Sequence, residues 1–255
     1  HEQRLLAEVQ EAVEQQRMSL VYQPVVNLRG DRTERYEVLL RMRNQEGREL
    51  LPETVFGIAR RQRRLGVVLD RWVIAHAIRE LRERRARSHK PVLFVNVSPT
   101  IFQDSEFAEW LGEGFQKTGV QPACLVFEIS ENTARQHLAQ YHRFAERVRL
   151  LGCGLSLDRF GCQEESLALL EKLPIDYVKL DPSFANGLVN DTAKQERLRV
   201  LANNLADHSI VTIMGSIEDL PTLYALWSCG ITYVQGYFLQ RPQGEMSYDF
   251  EGKVH

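Results

Sequence analysis

Apolar positions along this chain switch repeatedly between a helical period and short strand-like runs. Leu5, Leu6, Val9 and Val13 recur at helical spacing and predict a helix over residues 3–16. Leu20 to Leu28 reads as a strand interrupted by Tyr22-Gln23-Pro24, with Pro24 marking an edge or a bulge. A turn at Arg29 to Thr33 carries Gly30 and leads into a second strand, Glu34 to Met42. Pro52 opens a helix to about Leu65, as proline does in a first turn, and another helix follows from about Leu69 to Arg87. From there strands at 91–97, 124–130, 153–157, 176–180, 209–214 and 231–235 alternate with helices at 102–117, 133–150, 164–172, 191–207 and 217–228. Such alternation predicts a parallel sheet. Eight strands in a chain of 255 residues fit a closed (β/α)8 barrel better than an open sheet.

With no internal repeat and no low-complexity linker, residues 1–255 read as a single α/β domain. Its barrel occupies about 17–242. The tail, 243–255, lacks a core pattern and reads as a terminal helix or a partly disordered end. The formal net charge of -2 supplies no global basic field, so nucleic acid is not an expected partner. No run of about 18 apolar residues exists, so no membrane insertion is expected. The stretch His1 to Gln16 is polar and helical rather than a secretory signal. Cys124, Cys153, Cys162 and Cys229 show no CxxC spacing and read as free thiols, which points to a reducing, cytoplasmic setting rather than to zinc. The basic run Arg60, Arg61, Arg63, Arg64 and the run Arg82 to Arg87 lie on helices. They read as solvated faces, with a partner surface as the alternative.

The candidate chemistry sits at strand ends. Glu37, Asn96, Glu128 and Asp158 each stand at or near the end of an apolar run. In a (β/α)8 barrel those ends form one mouth. Four oxygen-bearing side chains from four strands suit a hard cation such as Mg²⁺ or Ca²⁺. Lys179 and Gln235 end two further strands.

These same residues carry a resemblance. Glu37-Val38-Leu39-Leu40-Arg41 resembles the E-A-L-x-R signature of the EAL domains, after Gln23-Pro24-Val25-Val26 for Q-P-I-V. Leu69-Asp70-Arg71-Trp72-Val73-Ile74, Phe94-Val95-Asn96-Val97-Ser98 and Phe127-Glu128-Ile129-Ser130-Glu131 are similar to D-x-W-V-L, F-V-N-V-S and L-E-I-T-E. Asp158-Arg159-Phe160-Gly161 stands where the family has D-D-F-G. Ile175 to Asp181 is similar to I-D-x-x-K-I-D, and Gln235-Gly236-Tyr237 with Arg241-Pro242 to Q-G-Y…R-P. Order and spacing agree from about residue 5 to 242. The resemblance implies a TIM-like (β/α)8 barrel whose first strand is antiparallel, with members that hydrolyse cyclic di-GMP using two Mg²⁺ or Mn²⁺ ions and others that only bind it. It places Glu37, Asn96, Glu128 and Asp158 on the first metal, Lys179 near the attacking water, and Glu131 on a supporting loop. It links Gln23, Leu39, Arg41, Asp70, Gln235 and Pro242 to the nucleotide.

The departures fall in the motifs that carry the chemistry. Arg159 replaces the second aspartate of D-D-F-G, and Gly215 replaces the first glutamate of A-E-G-V-E. Lesser ones include Gly57 for a proline and Arg60 for a glutamate. A guanidinium about 4 Å from a divalent ion is repelled by roughly 8 kcal/mol at an effective dielectric near 20. Two-metal hydrolysis needs both ions. The expectation is therefore a cyclic di-GMP receptor that has lost hydrolysis, with Glu37 and Lys179 as catalytic remnants, no required cofactor, and room for Mg or Mn at a vestigial site. Arg159 is either a new phosphate contact or an internal ion pair with Asp158 or Glu128. The pattern is similar to the FimX-type regulators of type IV pili and twitching motility, which implies a fragment of a longer multidomain protein and a PilZ-domain partner. A weak residual phosphodiesterase and a nucleotide-independent scaffold are the alternatives.

Overall fold

The computed structural model describes residues 2–163 and 165–252, the side chains of residues 2, 53, 59 and 60 apart. The Arg60 side chain, Glu164 at the predicted start of a helix, and the end of the tail thus lie outside the described residues. Helix α1 (Glu2–Glu14) precedes β1 (Met18–Pro24) and β2 (Val26–Asn27). Then come β3 (Arg35–Arg43), β4 (Glu49–Leu50), α2 (Pro52–Arg61) and α3 (Arg63–Ala86). Next are β5 (Val92–Asn96), α4 (Phe107–Thr118), β6 (Leu125–Ser130), α5 (Glu131–Gln136), α6 (Leu138–Leu151) and β7 (Gly154–Phe160). Last are α7 (Ser166–Leu170), β8 (Tyr177–Leu180), α8 (Thr192–Asp207), β9 (Val211–Met214), α9 (Leu220–Ser228) and β10 (Tyr233–Val234).

The hydrogen-bonded order is β1-β3-β5-β6-β7-β8-β9-β10-β2, with β4 paired to β3. β1 is antiparallel to β3, β2 is antiparallel to β10, and β3 joins β5 in parallel. Since β1 and β2 are one run broken at Val25, the sheet closes on itself through that break. Pro24 explains the change of partner: it has no N–H to give to a ladder, so the predicted single strand becomes two segments serving opposite neighbours. Closure leaves no long open edge. The result is a TIM-like α/β barrel with its first strand antiparallel, as expected.

Side-chain alternation builds two cores. On β3, Val38, Leu40 and Met42 are buried on the helix side, while Glu37, Leu39 and Arg41 share the opposite face. The helices cover the outer core. Inside the barrel, Val25, Phe94, Val126, Ile213 and Tyr233 form a separate buried cluster. It is the apolar floor on which a polar layer rests.

Several predicted boundaries shift for physical reasons. The helix expected from 102 begins at Phe107, because Pro99 starts a 3-10 turn over Pro99–Gln103. The helix expected over 133–150 is two helices meeting at His137. The two arginine-rich helices nearly join, separated only by Gln62. The tail is not helical over 243–252. Met246 is buried there, Tyr248 and Phe250 pack on the core, and Gln243 pairs with the Tyr22 main chain at 2.7 Å and 3.0 Å. Cys153 and Cys229 are buried, Cys124 is half-buried and Cys162 is exposed, all as free thiols. Among the described residues no helix is long and apolar enough to cross a membrane.

Gly57 lies inside α2, and a Cβ built there meets nothing within 4 Å. Gly57→Ala is therefore expected to stabilise the fold by about 0.5–1 kcal/mol, since glycine gives up more chain entropy on folding. A thermal melt showing a rise of about 1–3 °C would bear this out. A fall would contradict it.

Candidate functional site

The polar layer above the apolar floor consists of inward-facing residues, one each from β1, β3, β5, β6, β7 and β8. Register sets Asn96 beside Glu128, Gln23 beside Glu37 and Lys179 beside Ile213. Lys179 Nζ donates to Glu37 Oε2 at 3.0 Å and to Glu128 Oε1 at 2.7 Å. Asn96 Nδ2 donates to Glu37 Oε1 at 2.8 Å, and Ser156 Oγ donates to Glu128 Oε2 at 3.0 Å. Gln235 Nε2 donates to Glu37 Oε2 and, at 3.0 Å, to Gln23 Oε1. Strands β1, β3, β5, β6, β7 and β8 are thereby cross-braced through the lumen, together with Gln235 just past β10.

Burial makes this network electrostatically costly to disrupt. Burial alone would raise the Glu37 carboxyl, but the Lys179 charge and the bonds from Gln235, Lys179 and Asn96 outweigh it and hold it below the ordinary range. Burial pushes Glu128 up to about 7; Lys179 opposes this, while the charges of Glu37 and Asp158 add to it. Burial works against the Lys179 charge, yet Glu128, Glu37 and Asp158 overcome it and raise its pKa. One ammonium shared by two carboxylates leaves them competing for it, and Glu128 is the one left high.

Two clefts open above this layer and meet at Asp158 and Arg159. One, of about 450 Å³, is lined by Gln23, Glu37, Lys179, Gly215, Ser216, Glu218, Gln235, Gly236 and Tyr237 among others. The other, of about 710 Å³, takes in Phe56, Asn96, Ser98, Ser130, Asn132, Thr133, Cys162 and Asp181. Strand β7 runs three residues past its predicted end, with a bulge between Leu157 and Phe160. The bulge sets Arg159 at φ 53, a left-handed conformation uncommon outside glycine, and exposes its side chain in the mouth. Among the described residues no ion pair joins Arg159 to Asp158 or Glu128, so the internal pair that the sequence left open does not form. Its charge falls on Asp181 instead. Burial would raise that carboxyl, but hydrogen bonds from Ser183 and Cys162 and the Arg159 charge hold it low.

Glu131 holds the loop after β7. It is 1% exposed, accepts from Gly161 N at 2.9 Å and from Ser166 Oγ at 2.7 Å, and pairs with Arg135 at 2.8 Å. Gly161 has φ +99, and a Cβ there would meet the Phe184 ring at 2.9 Å, so glycine is required.

The remaining expected nucleotide contacts, Leu39, Arg41, Asp70 and Pro242, line neither cleft. Leu39 and Arg41 continue the Glu37 face of β3, half-buried. Arg41 Nε pairs with Glu49 at 3.1 Å. Pro242 is half-buried and is drawn beside Gln23 by the Gln243–Tyr22 pairing. Asp70 is 3% exposed on α3; its carboxylate accepts from Ser98 N at 3.2 Å and from Ser98 Oγ at 2.6 Å. It anchors the segment after β5. Burial pushes its carboxyl up to about 7, against those hydrogen bonds. The folded state therefore keeps a proton that the unfolded chain releases above pH 3.8, so this group's contribution to stability falls as pH rises from about 4 to 7. Asp70→Asn is expected to remove that fall, a gain relative to wild type on the order of 2–4 kcal/mol between the two ends of the window. Thermal melts of both proteins across the window test this, and parallel curves would contradict it.

The EAL domain model matches residues 6–242 of the chain. The chain belongs to the EAL domain family. The FimX EAL domain from Pseudomonas aeruginosa, solved bound to c-di-GMP, is 36% identical and superposes with a TM-score of 0.90 over 96% of this chain and 99% of that one. The FimX EAL domain of Xanthomonas citri, in complex with c-diGMP, is 28% identical at a TM-score of 0.89, covering 98% and 97%. The cyclic di-GMP phosphodiesterase PdeF of Escherichia coli (strain K12) is 26% identical over 239 residues, which is 94% of this chain and 32% of PdeF. The chain thus spans about a third of that relative's length.

The metals that the resemblance implies can be weighed against this EAL barrel's own residues. Glu37, Asn96 and Glu128 converge, but each carboxylate oxygen of the pair already accepts a hydrogen bond, and an ammonium lies between them. Among the described residues no group of three or more His, Cys, Asp or Glu side chains is arranged to hold a metal ion. The residues as they stand do not fit a divalent ion. Three members of the mouth are not marked as such by the sequence pattern. Ser156 is hidden in an apolar run, and Tyr237 stands inside a recognised motif that gives it no role. Glu218, an exposed acid of the smaller cleft, is legible only as the second glutamate of its motif.

Proposed function

We propose that this EAL domain is a receptor for cyclic di-GMP that has lost phosphodiesterase activity. It signals in the cytoplasm through a protein partner, a PilZ-domain protein being the kind expected. The observation that carries this reading is Arg159. A guanidinium stands in the mouth at the position where hydrolytic relatives are expected to place a metal-binding aspartate, and the Lys179 ammonium already lies between the two buried carboxylates. The likeness to two FimX EAL domains solved with c-di-GMP supports binding. Gln23, Leu39, Arg41, Asp70, Gln235, Pro242 and Arg159 are the residues assigned to the ligand. Arg41 and Arg159 suit phosphate, since a guanidinium pairs bidentately with such oxygens. Leu39 offers apolar surface to a base.

Calorimetric titration of cyclic di-GMP into the protein in EDTA tests this. Saturable, stoichiometric binding is expected. No binding at about 100 µM would sink the receptor reading and favour a nucleotide-independent scaffold. One observation favours residual hydrolysis as a second reading: Glu37, Asn96, Glu128 and Asp158, the set assigned to the first metal, are all present, and relatives such as PdeF are phosphodiesterases.

A further inference from the structure

Lys179 is placed where a cation is needed. Its side chain is 9% exposed, Glu37's is 11% and Glu128's is 0%. Two carboxylates this buried require a compensating charge. The ammonium supplies it with two short hydrogen bonds, and the Asn96 amide, the Gln235 amide and the Ser156 hydroxyl satisfy the oxygens further. A divalent ion entering between Glu37 and Glu128 would have to displace this ammonium. Among the described residues the ammonium hydrogen-bonds to no carboxylate but these two. Asp158 acts on it only through its charge, and position 215, which flanks the lysine stem, is a glycine. A Cβ built on Gly215 would lie 3.8 Å from Lys179 Cδ, an ordinary contact in an unstrained backbone conformation. A carboxylate carried from that Cβ would therefore run alongside the lysine and compete with Glu37 and Glu128 for its ammonium.

We propose that Lys179 is the resident cation of this barrel, excluding divalent metal from the Glu37–Glu128 pair, and that Gly215 keeps it there by offering it no other partner. The claim concerns metal exclusion and stands whether or not the nucleotide binds.

Mn²⁺ is the probe, followed by the spectroscopic signal of the free ion as protein is added. Three proteins are compared: wild type, Lys179→Met and Gly215→Glu, with Glu128→Gln added in each background. Wild type is expected to take up no Mn²⁺ with a Kd tighter than about 1 mM. Lys179→Met removes the ammonium, and Gly215→Glu leaves all three original charges in place while pulling the ammonium aside. Each is expected to bind one ion per chain at least about tenfold more tightly than wild type, and Glu128→Gln is expected to abolish that uptake. Lys179→Met leaves two buried carboxylates uncompensated, so it is also expected to melt at higher temperature in Mn²⁺ than in EDTA. Should it fail to fold, Gly215→Glu is read beside Gly215→Gln, whose amide oxygen accepts from the ammonium without adding a carboxylate for the ion: uptake by both supports the proposal, and uptake by Gly215→Glu alone would overturn it. Wild-type uptake of Mn²⁺ that Glu128→Gln removes would overturn the proposal, as would folded variants that take up none. Uptake by Lys179→Met but not by Gly215→Glu would overturn the role given to Gly215 and support that of Lys179.

Discussion

Gly236→Ala is expected to disrupt the barrel just past the ends of β9 and β10. A Cβ at Gly236 would lie 2.1 Å from Ile217 O and 2.3 Å from Ile217 N, both backbone atoms with no rotamer to move. The two segments are tied together by Ile217 N to Gln235 O at 3.1 Å, Phe238 N to Ile217 O at 3.0 Å and Gln235 N to Met214 O at 2.9 Å. Ordinary contact would require them to part by more than 1 Å, breaking several of these bonds. A cost of about 3–5 kcal/mol follows, at the upper end for overpacking, because the obstacle is main chain. In a chain of this length that lowers the melting temperature by about 10 °C. The same shift would carry Gln235 away from Glu37 and Gln23, so nucleotide binding is expected to fall with stability. A melt within 2 °C of wild type, roughly the size of a 1 kcal/mol effect, would contradict the account. Set against the expected gain from Gly57→Ala, it shows that glycines of one composition act in opposite directions, decided by what stands beside the missing Cβ.

Arg41→Ala carries the largest expected loss of affinity. Arg41 lies on the mouth face of β3, two residues beyond Leu39 and four beyond Glu37. Its present partner, Glu49, is 49% exposed at the side chain, and an exposed pair of that kind contributes only about 0–1 kcal/mol. A phosphate can therefore recruit the guanidinium cheaply. A charge-assisted, bidentate contact is worth about 1.5–3 kcal/mol, so Arg41→Ala should weaken cyclic di-GMP binding about 10- to 100-fold with little change in melting temperature. Glu49→Gln should change affinity less than about threefold, since it removes only the weak competitor. Calorimetry on the two variants separates these outcomes. Unchanged affinity in Arg41→Ala would make Arg41 a structural partner of Glu49 and strengthen the scaffold alternative.

The alternation of β3 makes the division between Glu37, Leu39, Arg41 and the core residues Val38, Leu40, Met42 legible in the sequence itself. The repeated strand–helix pattern likewise discloses the barrel, and the motif around Glu131 marks that residue as the holder of a loop. Other features depend on distant segments meeting. That Lys179 bridges Glu37 and Glu128 follows from three strands facing one lumen, a relation with no local signature. The burial of Asp70 behind Ser98 depends on how α3 packs on the end of β5. The splitting of the first strand at Pro24 is half visible: proline announces an irregularity, but only the closed sheet shows that the chain changes partner there. Met246, Tyr248 and Phe250 escape a reading of the sequence because three apolar residues at alternate positions make too short a pattern to separate a packed tail from a loose one.

The central claim is that this mouth holds the nucleotide without cutting it. The most direct measurement is to incubate cyclic di-GMP in large molar excess over the protein with Mn²⁺ overnight, denature the protein, and resolve the recovered nucleotide by chromatography. The account predicts that the ligand comes back as the intact ring. Linear dinucleotide formed over repeated turnovers, and absent with Glu37→Ala, would contradict it.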